Sequence, residues 1–198
     1  MWSPKVFKFG ALVGLGALAL AGCSADYADS GTSPRVFIVQ SVHSGTPLSS
    51  DVRQAGNICP DLVNVVLRNE SKNPNAPTSY RDDIIVQRYE VKYSRSDGRG
   101  VEGVDVPYTI SGNISAQITA SGTTTVAVEV VRLQAKVEPP LSNLVGGGGP
   151  STLTLMAQIT FHAQTTTGQV TNPAVGYLQI DFADFVNSST DTSCPTAS

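Results

Sequence analysis

Three cysteines, Cys23, Cys59 and Cys194, two histidines, His43 and His162, and a thin scatter of carboxylates are the side chains with chemistry to offer in this sequence. A zinc site needs three or four His, Cys or carboxylate ligands, with local pairs at short spacing. Beyond Cys23 no His or Cys has another within eight positions, so no metal centre is expected. A serine nucleophile needs a neighbouring base and, on α/β folds, a G-x-S-x-G elbow. None of the 21 serines sits in one. The run Gly146 to Gly149 ends in Pro150 with no Lys-Ser or Lys-Thr behind it, which excludes a phosphate-cradling loop. Carboxylates gather at Asp82-Asp83, at Asp97, Glu102 and Asp105, and at Asp181 and Asp184, but none follows a calcium-loop spacing, and they read as turn and edge residues. The most charged stretch is Arg95, Asp97, Arg99, Glu102 and Asp105. It reads as a hairpin tip that recognises a partner, because binding residues concentrate on loops held by a rigid scaffold. The expectation is a protein without catalytic residues or cofactor.

The cysteines divide by position. Lys5 and Lys8 precede an apolar run from Phe9 through Ala21 that holds no acid. This is the layout of a secretory signal peptide, and the run is shorter than the roughly 20 residues of a spanning helix. It ends in Leu20-Ala21-Gly22-Cys23, which resembles the lipobox of bacterial lipoproteins. The resemblance implies cleavage before Cys23, lipidation of its thiol and anchorage to a membrane through acyl chains, of which two or more hold stably. Ser24 stands where an Asp would act as an inner-membrane retention signal, so the outer membrane is expected. Cys59 and Cys194 then remain as one even pair in a compartment that permits disulfides, and a bridge between them is expected.

Loss of Lys5 and Lys8 changes the net charge from −3 to −5, with 11 basic residues left against 16 acidic. An acidic domain is repelled by nucleic acid and by anionic headgroups, so neither is an expected partner. The only Trp, Trp2, departs with the signal.

The elements that would carry these residues are strands. The 198 residues include 23 Val, 18 Thr and 9 Ile, and β-branched residues fit a pleated, half-buried surface. Residues 1–22 form the signal, 23–34 the lipidated cysteine and a small, polar tether, 35–187 a β-sandwich domain, and 188–198 a Ser/Thr-rich tail. Within the domain, strands are expected at Arg35 to Val42, Leu62 to Arg68, Asp83 to Arg95, Val104 to Ile110, Ile114 to Thr119, Thr123 to Val137, Thr152 to Gln164 and Val175 to Phe185. The stretch His43 to Pro60 reads as irregular, with one helical turn near Asp51 to Ala55. On the Asp83 strand, Ile85, Gln87, Tyr89, Val91 and Tyr93 share the apolar row. Ser96 to Gly100 reads as a hairpin turn and Ser111-Gly112-Asn113 as a break between strands. His162 is expected on the solvent side of its strand, and most of Tyr80, Tyr89, Tyr93, Tyr108 and Tyr177 within the body.

About seven or eight strands at this spacing, with no long helix, predict an all-β, two-sheet antiparallel sandwich. The last pair, with TTTGQVTNPA between its strands, resembles the closing hairpin of immunoglobulin-like and fibronectin-III-like bacterial domains. The stretch Arg81 to Leu141 resembles small envelope lipoproteins with no assigned activity, and implies a lipid-anchored sandwich without supplying a mechanism. The expected function is a structural or accessory subunit, or a binding module for another envelope protein. The alternative is a calcium- or cell-wall-glycan-binding sandwich.

Overall fold

The computed structural model describes residues 33–53, 58–75, 77–146, 152–185 and 197. All belong to one unit, Thr32–Ser198. Cys23 and Cys194 lie outside the described residues, as do the signal segment and most of the tail.

Eight strands form two sheets: β1 (Arg35–Val42), β2 (Leu48–Asp51), β3 (Asp61–Ser71), β4 (Ile84–Ser94), β5 (Ile110–Ile118), β6 (Thr123–Val131), β7 (Leu153–Thr165) and β8 (Ala174–Ala183). One sheet has the order β1-β3-β6 and the other β2-β8-β7-β4-β5. The chain is an all-β sandwich. Pairing is antiparallel throughout except for β2, which lies parallel to the end of β8.

The core lies between the sheets and follows from alternation. Val63, Val65 and Leu67 of β3 and Val126, Val128 and Val130 of β6 point inward from one side. Leu155, Ala157, Ile159 and Phe161 of β7, with Leu178, Ile180 and Phe182 of β8, meet them from the other. The two sheets approach closely at Gly176 of β8, where an added Cβ would come 2.8 Å from methyls of both Val39 and Val42 on β1. A side chain there has no room, which is the reason for glycine.

Several expected boundaries shift. The inward row of β4 changes parity at a bulge between Val86 and Arg88: Ile84 and Val86 are buried before it, and Tyr89, Val91 and Tyr93 after it. Ile85 is therefore not in the apolar row. Val104 to Ile110 is largely loop, and Ser111-Gly112-Asn113 lies inside β5, because the Tyr89 ring packs across the strand pair onto Gly112. The strand expected to run to Val137 ends at Val131 and is followed by the short helix α1 (Leu133–Val137). Asp51 belongs to β2, the rest of the turn expected near Asp51 to Ala55 falls partly outside the described residues, and a 3-10 turn occupies His43–Gly45.

The sandwich has two poles. At the proximal one lie the first described residues: Ser33 N–H donates to the Val170 carbonyl at 3.2 Å and Lys72 N–H to the Pro34 carbonyl at 3.1 Å. Asn69 organises this pole from inside. Its Oδ1 accepts from Arg35 Nε at 2.9 Å, and its amide donates to the carbonyls of Asp82 at 2.9 Å and Ile118 at 3.2 Å. From here the 11 residues of β4 run to the other end, about 35 Å away. That distal pole carries the start of β3, α1 and the loop between β4 and β5.

Candidate functional site

The distal loop, residues 95–109, holds all five residues of the charged stretch, and the structure brings them together. Asp97 is the hub. Its Oδ1 accepts from Arg95 Nε at 3.1 Å and from the Arg99 backbone N–H at 3.1 Å, and its Oδ2 from Arg99 Nε at 2.9 Å. Arg95 and Arg99 also place terminal guanidinium nitrogens 3.0 and 2.8 Å from Oδ2. The two guanidinium groups hold the Asp97 carboxyl well below the usual carboxylate range, Arg95 contributing most.

A second layer closes the loop. Asp105 Oδ2 accepts from the Val101 backbone N–H at 3.2 Å, while its Oδ1 lies 3.8 Å from Arg99. Glu102 Oε1 accepts from Thr109, from its backbone N–H at 3.2 Å and its hydroxyl at 2.5 Å. Gly98 and Gly103 supply the positive φ, 79° and 74°, that the two tight turns need. The carboxylates are thus spent on holding the loop's own backbone.

What the frame presents outward is apolar. Val101 is 60% exposed, Val104 66% and Tyr108 55%, three large apolar side chains on one loop, while the other exposed apolar residues are spread over several elements. The charge pattern drew attention to this loop from sequence. The valines went unremarked because Val104 was assigned to a strand, where alternation would have buried some of its neighbours.

The other candidate residues fall elsewhere. Cys59 is buried and disulfide-bonded, and both other cysteines, Cys23 and Cys194, lie outside the described residues. Asp82 and Asp83 accept from the backbone N–H groups of Ser79 and Ala120, Asp181 accepts from Thr154 and Gln179, and Asp184 from the Gly146 N–H. Among the described residues no group of three or more His, Cys, Asp or Glu is placed to hold a metal ion. His162 sits half-buried on the outer face of β7 opposite Arg88, and burial together with that guanidinium pushes its imidazole below the ordinary value. His43 occupies the 3-10 turn with Nδ1 2.9 Å from the Thr46 carbonyl. Of the five tyrosines named above, Tyr89 and Tyr93 are in the body, while Tyr80, Tyr108 and Tyr177 are exposed, more than the sequence suggested.

Among the described residues no helix is long and apolar enough to cross a membrane. The chain matches no protein-family model and no curated protein.

Proposed function

We propose that the chain is a non-enzymatic lipoprotein of the bacterial envelope, anchored through acyl chains on Cys23, whose sandwich is an accessory subunit that binds another envelope protein through its distal loop. The observation that supports it is the pairing of a self-satisfied ionic frame with three outward apolar residues, Val101, Val104 and Tyr108. Rigid presentation lowers the ordering cost of binding, and apolar area gives the contact its energy. Charged groups already committed to the loop cost little further desolvation at the rim. The outer membrane, with the domain standing off on its tether, fits Ser24 behind the acylated cysteine.

A photo-crosslinking residue at Val104 in the full chain, expressed in its membrane, tests the reading. Capture of one protein in stoichiometric yield, lost on replacing Val101 and Tyr108 by Ser, is the expected result. Crosslinking only to lipid, or to nothing, overturns it. Cys23→Ser should move the chain to the soluble fraction, and its persistence in membranes would refute the anchor.

The exposed Tyr108 and Tyr177 favour a second reading, a cell-wall-glycan module, since aromatic faces are the usual platforms for sugar rings. A rise in Tm with soluble glycan fragments, abolished by Tyr177→Ser, would support it over the first.

A further inference from the structure

The distal pole holds a lysine that solvent does not reach. Lys136 of α1 is 1% exposed, and Asp61, the first residue of β3, 7%. Nζ of Lys136 lies 3.0 Å from Asp61 Oδ1, and the Ser50 hydroxyl donates to Asp61 Oδ2 at 2.5 Å.

As an ion pair this contact is poorly balanced. An ammonium carries three donors, and among the described residues Asp61 is the acceptor it meets. A buried ion pair is compensated only when its remaining hydrogen-bonding groups are satisfied, and among the described residues one carboxylate oxygen answers the three donors of Nζ. A secondary amide at the same place has one N–H and no charge. The donor excess and the desolvation cost then disappear together.

We propose that Lys136 and Asp61 are a modification site, joined by an isopeptide bond between Nζ and the Asp61 carboxyl carbon. The atoms needed are all present. One proton passes from Nζ to Oδ1 within the contact, leaving an amine and a carboxylic acid. The amine lone pair attacks the carboxyl carbon, the C–N bond forms, a second proton moves from nitrogen to Oδ1, and the C–Oδ1 bond breaks to release water. The third proton stays on the amide nitrogen, and Oδ2 becomes the amide oxygen, held by Ser50. No oxidation or reduction occurs and no co-reactant enters.

The surroundings favour the first step. Burial raises the Asp61 carboxyl above its ordinary range, outweighing the opposing pull of Lys136 and Ser50, and Asp51 adds to the rise. A site closed to solvent disfavours the charged carboxylate. The two residues are 75 positions apart in sequence, so the bond would tie the start of β3 to the helix that follows β6.

Trypsin digestion of the full chain after denaturation and reduction tests the proposal. The expected product is the peptide from Gln54 to Arg68 joined to the one beginning at Leu133, lighter than their sum by one water, with no cleavage after Lys136. Asp61→Asn should give the same joined product through loss of ammonia, whereas Asp61→Ala and Lys136→Arg should give separate peptides. Separate peptides at their full sequence masses from the wild-type chain, cut after Lys136, overturn the proposal. The wild-type result decides even if a variant fails to fold.

Discussion

The phenolic oxygen of Tyr93, on β4, donates to the backbone carbonyl of Val130, on β6, at 2.6 Å, and so links the two sheets by a hydrogen bond through the core. Tyr93→Phe keeps the ring and removes the donor, leaving a buried carbonyl unpaired. A loss of about 1–3 kcal/mol is expected, read as a lower urea midpoint at unchanged slope.

The same tyrosine sets a pH dependence. Burial pushes its phenol far above the ordinary 10.0. Because the folded value is the higher one, the unfolded chain releases this proton first, and the contribution of Tyr93 is full below pH 10 and declines above it. The stability of the wild type should fall more steeply than that of Tyr93→Phe above about pH 10, measured by urea denaturation across the alkaline range.

At Gly176 the expected effect is steric. A Val side chain would press on Val39 and Val42 of the facing sheet, for a loss of about 1–3 kcal/mol. Pairing Gly176→Ala with Val42→Ala should cost less than the two single effects added, since each relieves the other. Strict additivity in a double-mutant cycle would show that the contact is not what demands glycine.

Asp97→Asn removes the hub charge of the distal loop. Both guanidinium groups depress its carboxyl, so its contribution is present above the ordinary value of 3.8 and is lost only as pH falls well below it. In the wild type the Arg99 amide should stay protected from hydrogen exchange through pH 4. In the variant it should exchange faster, with Tm little changed because the Asp97 side chain is itself 40% exposed and outside the core.

Cys59 should resist alkylation in the folded, non-reduced chain. Reduction should lower stability by about 2–4 kcal/mol. We expect its partner to be Cys194. The Ala197 carbonyl accepts from Asn64 of β3 at 3.3 Å, which brings the end of the chain beside the strand that follows Cys59. A non-reducing digest that joins Cys59 to any other peptide would refute the pairing.

Much of the sandwich was legible because its strands carry their own signal. β7 and β8 alternate apolar and polar residues along their length, and β1 begins and ends where its apolar run predicts. What was hidden depends on distant partners. Leu48 to Asp51 has no alternation of its own and is a strand because β8 offers an edge beside which Ser50 reaches Asp61. Ser111-Gly112-Asn113 is a turn signal until Tyr89 covers it. Lys136, within a strand-like run, is buried only because Asp61 lies beneath it. The ionic hub was visible as a cluster of charges, but its role as internal scaffolding required the geometry.

The two poles also have a mechanical meaning. If the chain is pulled at Ser33 while the distal loop is held, tension acts along the axis of β1. The ladder bonds joining β1 to β3, over Arg35 to Val42, lie across that axis and are loaded together rather than one by one. The domain would then bear load as a shear joint.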